Sequence, residues 1–142
     1  MLFGLSVPSL LLIAIAVAVV WIYVPFLVVA YARAQIGYLT NKEMMAAPRA
    51  TFDQLPDYGK RATWAHQNAL EAFPIFAAAA LMAYVTHQTS AWAGWAAIAW
   101  IVARFLYPVF YILNVSILRS LMFGIGSVCS FTLIGLSLIS TL

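Results

Sequence analysis

From Leu2 to Ala32 no side chain carries a charge, and this feature constrains the chain more than any other. About 20 apolar residues in a helix already cross the hydrocarbon core of a bilayer. Within that core every backbone N–H and C=O must be satisfied internally, so a run of this kind is expected to be a membrane-spanning helix. It is expected to be retained rather than cleaved. It lacks a basic start, and it is far longer than the ~7–15 apolar residues of a signal peptide.

The remainder is of the same character. Of 142 residues, 65% are hydrophobic and 8% charged, with mean hydropathy +0.99, whereas a soluble domain carries roughly 25% charged residues. The single cysteine, Cys129, lies in an apolar run. It excludes an intrachain disulfide framework, offers no thiolate cluster for a metal, and is best read as a small buried hydrophobe. A formal charge of +3 does not indicate nucleic acid, because no basic run with interleaved aromatics occurs. No phosphate-cradling glycine motif and no metalloprotease motif is present either.

Four spans are expected, near residues 6–31, 66–85, 92–113 and 118–139, within one domain over 1–142. The stretch 33–60 holds Arg33, Lys42, Arg49 and Lys60 together with Pro48, Pro56 and Gly59, and reads as an exposed connection. Short second and third connections make the fold class an all-α, antiparallel four-helix membrane bundle. Basic residues cluster in the first loop, and Arg119 lies at the third. The positive-inside rule therefore puts loops one and three in the cytoplasm and both termini outside. Tyr31 and Trp64 at one end, and Tyr84, Trp92 and Trp95 at the other, fit interfacial aromatic belts.

Charged residues inside spans are costly and are functional candidates by default. Glu71 and Arg104 qualify. Their similar depths on antiparallel helices lead us to expect that they meet, with a structural ion pair as the plainest outcome. Arg61, Asn68 and Glu71 are spaced 0, 7 and 10, and Arg104, Tyr107 and Tyr111 are spaced 0, 3 and 7, each set falling on one helical face. With Arg33 closing the first span and Arg119 opening the fourth, a cationic pocket holding one carboxylate, one carboxamide and two phenols is expected. It suits a small anion that also bears an amine. His66 and His87 are expected to be interfacial or solvated. Ser120-x-x-x-Gly124 and Gly126-x-x-x-Ser130 read as helix-packing motifs. A four-span proton-coupled exporter using Glu71 is an alternative that Arg104 and Arg119 disfavour, since a cationic site suits anions.

The run Arg61-Ala-Thr-Trp-Ala-His-Gln-Asn68-Ala-Leu-Glu71-Ala-Phe-Pro74, then Arg104-Phe-Leu-Tyr107-Pro-Val-Phe-Tyr111, then Leu118-Arg119-Ser120, resembles the MAPEG family, the membrane-associated proteins in eicosanoid and glutathione metabolism. Gly37-Tyr38-Leu39-Thr40-Asn41 and Pro48-Arg49-Ala50 resemble its bacterial branch. The motifs cover roughly residues 33–124.

The resemblance implies a homotrimer in a bacterial inner membrane, with glutathione sites between subunits and a lipophilic substrate arriving from the lipid. It implies transfer of the glutathione sulfur to an electrophile or reduction of a lipid hydroperoxide, with glutathione as co-substrate, no metal and no nucleic acid. A non-catalytic, lipid-binding member of the family is the alternative. Asn68 and Glu71 match the family's glutathione-binding pair, and Arg104, Tyr107 and Tyr111 match lining positions. Arg119 matches the arginine assigned to thiolate stabilisation, Ser120 its neighbour, and Arg33 a carboxylate-binding arginine. Gln67 and Phe123 depart from positions that many members fill with arginine and tyrosine. Chemically the transfer is coherent: arginines bind carboxylates bidentately, Glu71 suits an ammonium, and a guanidinium beside sulfur raises the thiolate fraction of a thiol titrating near ~8.5.

Overall fold

The computed structural model describes residue 2 and residues 4–142. Four helices are long and apolar enough to cross a membrane: α1 (Val7–Gln35), α3 (Asp57–Val85), α4 (Ala91–Ile112) and α5 (Ser116–Ile139). The short helix α2 (Lys42–Ala46) lies in the first connection between two 3-10 turns, Tyr38–Thr40 and Pro48–Gln54. The chain is thus an integral-membrane, all-α bundle. The first connection is shorter than the sequence alone indicates. Helix α1 continues through Arg33 to Gln35 and α3 begins at Asp57, so 36–56 rather than 33–60 forms the link. Composition registers where the apolar stretch ends, whereas helical hydrogen bonding continues past it into polar surroundings.

The ends of the helices follow local chemistry. The Ser6 hydroxyl oxygen accepts from Ser9 N at 3.3 Å to cap α1, and Ser90 accepts from Trp92 N at 3.2 Å to cap α4, each satisfying an otherwise orphaned N–H. Helices α3 and α4 end in the same way. His87 (φ 54°) and Asn114 (φ 62°) adopt the left-handed conformation. Gln88 N then reaches back to Ala83 O, and Val115 N to Phe110 O, each at 2.9 Å. These are Schellman closures, and they let very short connections reverse the chain. Buried Gln88 fastens the α3–α4 turn to the end of α5 through Leu136 O at 3.1 Å and Ser140 Oγ at 2.8 Å.

Around the bundle the helices run α1, α3, α5, α4, with α1 and α5 at opposite corners and α3 also touching α4 across the middle. The core rests on small residues. Ala79, Ala80, Ala83, Ala93 and Ala97 are fully buried, so the alanine-rich stretches are the helix contact surfaces, which is how membrane helices gain dispersion energy. Phe76 of α3 stacks on Trp100 of α4 with centroids 3.8 Å apart. Gly59 is required where α3 meets α1, since a Cβ there would fall 2.7 Å from Ala32 Cβ. Of the two small-residue motifs on α5, Gly126 and Ser130 are buried within the bundle, while Ser120 and Gly124 stay on its outside. Cys129 is buried and free.

Two side chains from α1 and α3 bond to backbone carbonyls of neighbouring helices. Trp21 Nε1 donates to Ile101 O at 3.2 Å, and His66 Nδ1 lies 2.8 Å from Ile22 O. His66 is therefore a ring bridging α3 to α1, not a merely solvated interfacial group. Tyr31, Trp64, Tyr84 and Trp92 are exposed near the two ends.

Candidate functional site

Helix register decides which polar groups meet. Arg61 Nε donates to Ile112 O at 2.9 Å, placing a cation on the orphaned carbonyls at the end of α4, where the helix dipole favours it. This contact sets Arg61 level with Ile112. Two antiparallel helices rise equally from there, so Arg104, eight residues before Ile112, is level with residue 69 and not with Glu71.

The observed contact follows. Arg104 Nη1 donates to Asn68 Oδ1 at 2.9 Å. The expected meeting of Glu71 with Arg104 does not occur: Glu71 is exposed, and its Oε1 accepts from Gln67 Nε2 at 3.1 Å. The face carrying Arg61, Asn68 and Glu71 does not point wholly inward either, because Asn68 is half-buried and Glu71 is on the outside of the single chain.

Arg104 is a buried cation, 8% exposed, and among the described residues its hydrogen-bond partner is Asn68 alone. Its Nε is buried without a partner. Aromatic faces supply the remaining stabilisation, with Cζ 5.7 Å from the Trp100 ring, 5.5 Å from Tyr107 and 5.4 Å from Phe123. Each contact of this kind contributes roughly 0.5–2 kcal/mol. Phe123 thus contacts Arg104 through its ring face where a tyrosine would add a hydroxyl. Gly126 makes room for the guanidinium: a Cβ there would lie 2.9 Å from Arg104 Nε.

Beside this pair a groove of about 370 Å³ opens between α3 and α4, lined by Trp64, Gln67, Asn68, Glu71, Tyr107 and Tyr111. It brings together a carboxylate, two carboxamides and two phenols. Arg119, from the first turn of α5, stacks on the Tyr111 ring at 4.6 Å, so its guanidinium stands at the rim. Ser120 is exposed and lies outside the groove lining.

Arg33 is placed elsewhere. It lines a second cavity, of about 830 Å³, between α1, the 3-10 turn Pro48–Gln54 and α3, together with Phe26, Arg49, Thr63, His66 and Leu70. The Arg33 Nε is buried and has no hydrogen-bond partner among the described residues, and Cζ lies 5.7 Å from the Tyr38 ring. The single cationic pocket expected from the sequence is therefore two cavities on adjoining faces of α3. Gln67 lines both.

Sequence reasoning did not single out Trp64, Gln67 or Arg49 as site residues. The signal for the first two was available: Trp64, Gln67 and Glu71 fall three and four residues apart, the spacing of one helical face. Among the described residues no group of His, Cys, Asp and Glu is arranged to hold a metal ion.

Comparison with curated proteins and with solved structures gave no match. Comparison with protein families gave one, covering residues 10–139, a range that takes in α3, α4, α5 and all but the first turn of α1, with the groove between α3 and α4 and the Arg33 cavity. The four-span bundle with its polar groove belongs to a protein of the MAPEG family.

Proposed function

We propose that this protein is a membrane-embedded, glutathione-dependent enzyme that transfers the glutathione sulfur to lipophilic electrophiles or reduces lipid hydroperoxides. One observation carries the reading: the groove sets the Glu71 carboxylate, the Asn68 carboxamide and the Tyr107 and Tyr111 phenols around one space with the Arg119 guanidinium at its rim. Glutathione brings an ammonium, two carboxylates and a thiol. Glu71 takes the ammonium, Asn68 and the phenols hold the peptide, and Arg119 faces the sulfur. Arg104 holds Asn68 in place and adds positive potential from behind it. Ser120 flanks Arg119 at the opening, on the side from which a lipophilic substrate arrives.

The nucleophile is the thiolate, and a nearby guanidinium lowers the pH at which it forms. Attack on an electrophilic carbon forms the C–S bond, and the electron pair of the broken bond goes to the leaving group or the acceptor atom. With a hydroperoxide, thiolate attack on the outer oxygen breaks the O–O bond and releases the alcohol. The sulfenic form of glutathione is then reduced by a second glutathione to give the disulfide and water.

The exposed face of α3 supports an assembly of copies. Trp64, Gln67, Leu70 and Glu71 are all exposed there, and a carboxylate facing lipid costs from about 2.5 kcal/mol on insertion scales. Packing of further copies against that face as a homotrimer encloses the groove between subunits. The membrane is a bacterial inner membrane, with the loop 36–56 cytoplasmic and both termini on the outer side, as Lys42 and Arg49 in that loop and Arg33, Lys60 and Arg61 on the helix ends beside it favour.

The test is a thiol titration in detergent. Thiolate ultraviolet absorbance of bound glutathione is followed against pH for wild type and Arg119→Ala. The wild type is expected to hold the thiol well below its free value of about 8.5, and the variant to return it towards that value. A wild type that binds no glutathione overturns the proposal. An unshifted thiol that still binds leaves a non-catalytic binding protein in its place.

A further inference from the structure

We infer that the end of the bundle remote from the groove holds one acyl chain of a membrane phospholipid, in a space of about 350 Å³ between α3 and α5. Ala78, Leu81, Met82 and Val85 line it from α3 and Leu138 from α5. Leu81, Val85 and Leu138 are exposed, so the space opens outward from two helices long and apolar enough to cross a membrane. Contacts between elements hold it open. Behind it Ala79, Ala83 and Leu133 are fully buried in the core, so α3 and α5 are already packed there and cannot close further. Beyond it Gln88 Nε2, in the turn after α3, donates to Leu136 O at 3.1 Å and to Ser140 Oγ at 2.8 Å. That contact clasps the turn to the end of α5.

The lining selects the occupant. Three hydroxyls also line the space, and each donates to a backbone carbonyl three or four residues earlier: Thr86 Oγ1 to Met82 O at 2.9 Å, Ser137 Oγ to Leu133 O at 2.7 Å and Thr141 Oγ1 to Leu138 O at 2.8 Å. They leave no donor for water, which needs about two to four polar partners to stay in a cavity. Left empty, the lining forfeits dispersion contacts that the hydrocarbon at its opening can supply. It contains no aromatic ring, so a planar ligand gains no stacking there. Size sets aside a helix of a second copy. A helix is about 10–12 Å across and one turn displaces on the order of 500 Å³, so it can lie over the opening without entering. A methylene is close to water in size, about 30 Å³, and the space takes on the order of ten of them. Charge decides between a phospholipid and a free fatty acid. The stretches that reach this end of the bundle, 2–32, 72–103 and 120–142, contain no Lys or Arg, so a fatty-acid carboxylate finds no cation to pair with. A phospholipid keeps its headgroup in the interfacial layer and offers the site a chain alone.

The test reconstitutes the full-length protein in phosphatidylcholine vesicles containing a phosphatidylcholine with a diazirine midway along one chain. After irradiation, modified residues are mapped by mass spectrometry. Adducts at Leu81, Val85 and Leu138 are expected to saturate as the probe fraction rises, whereas those at Leu27 and Phe131, exposed on α1 and α5, rise in proportion to it. Ala78 is exposed, so Ala78→Phe sends a ring into the space without entering the core. It is expected to abolish the saturable adducts and to leave those at Leu27 and Phe131 unchanged, with the near-ultraviolet circular dichroism intact. A phosphatidylglycerol probe with the same chain is expected to saturate the site alike, and a diazirine fatty acid to give only proportional labelling. Wild-type adducts at the three positions that rise only in proportion overturn the proposal, as does cross-linking of those positions to a second copy in place of lipid. Saturable labelling by the fatty acid alone overturns the phospholipid as occupant.

Discussion

Asn68→Leu is expected to destabilise the bundle more than Arg104→Met, although the two side chains share one hydrogen bond. Arg104 is 8% exposed, and its bond to Asn68 is the only one it makes among the described residues. Removing the acceptor deletes an interhelical hydrogen bond of about 0.6–1.7 kcal/mol. It also leaves a buried charged donor unsatisfied, a further ~1.5–3 kcal/mol. Together the loss is roughly 2–5 kcal/mol. Arg104→Met deletes the same bond and three ring contacts. It also removes a buried cation whose desolvation costs several kcal/mol, and the thioether fills the volume of the stem against Trp100, Tyr107 and Phe123. The balance lies within about 1 kcal/mol of zero. Reversible unfolding in mixed detergent–SDS micelles reads both values, and the double variant is expected to recover most of the loss seen in Asn68→Leu. An Arg104→Met as costly as Asn68→Leu, or a double variant worse than either, refutes the reasoning: the cation then stabilises the fold outright rather than being held for an anionic ligand.

Gly126→Ala places a Cβ 2.9 Å from Arg104 Nε, so the guanidinium must shift while tied to Asn68 and packed among rings. A loss of about 1–3 kcal/mol is expected in the same unfolding assay. At Gly124 a Cβ meets nothing within 4 Å, and Gly124→Ala is expected to be neutral or stabilising by up to about 1 kcal/mol through helix propensity. Phe76→Ala removes a fully buried ring stacked 3.8 Å from Trp100. It is expected to cost about 3–5 kcal/mol and to change the near-ultraviolet circular dichroism of the tryptophans.

Much of the architecture is legible in the sequence because a bilayer admits few answers. The charge-free run from Leu2, the basic cluster in the first loop and the polar breaks near Thr86 and Asn114 suffice to predict four antiparallel helices. What sequence patterns leave undetermined is the register between helices. A depth counted from the end of an apolar stretch carries an error of one turn, and one turn separates Asn68 from Glu71. The Arg61 contact with Ile112 O removes that error, and it gives Arg104 a carboxamide partner instead of a carboxylate. Arg33 illustrates a second limit. Its position at the end of α1 is plain from the sequence, yet the face of α3 it borders depends on how α1 and α3 pack at Ala32 and Gly59.

The sequence by itself determined that this chain lives in a membrane, how many helices cross it, and which few polar residues bear an energetic cost that packing alone does not explain. Those properties follow from transfer free energies, which depend on composition and order along the chain. Only the tertiary structure decided that the polar residues divide between two cavities that share Gln67, with Arg33 and Arg49 lining one, Asn68 and Glu71 the other, and Arg104 buried among three rings on Asn68. Hydrogen bonds and ring contacts act over a few ångströms, and such distances between helices are fixed by rotation and register, which no single helix encodes.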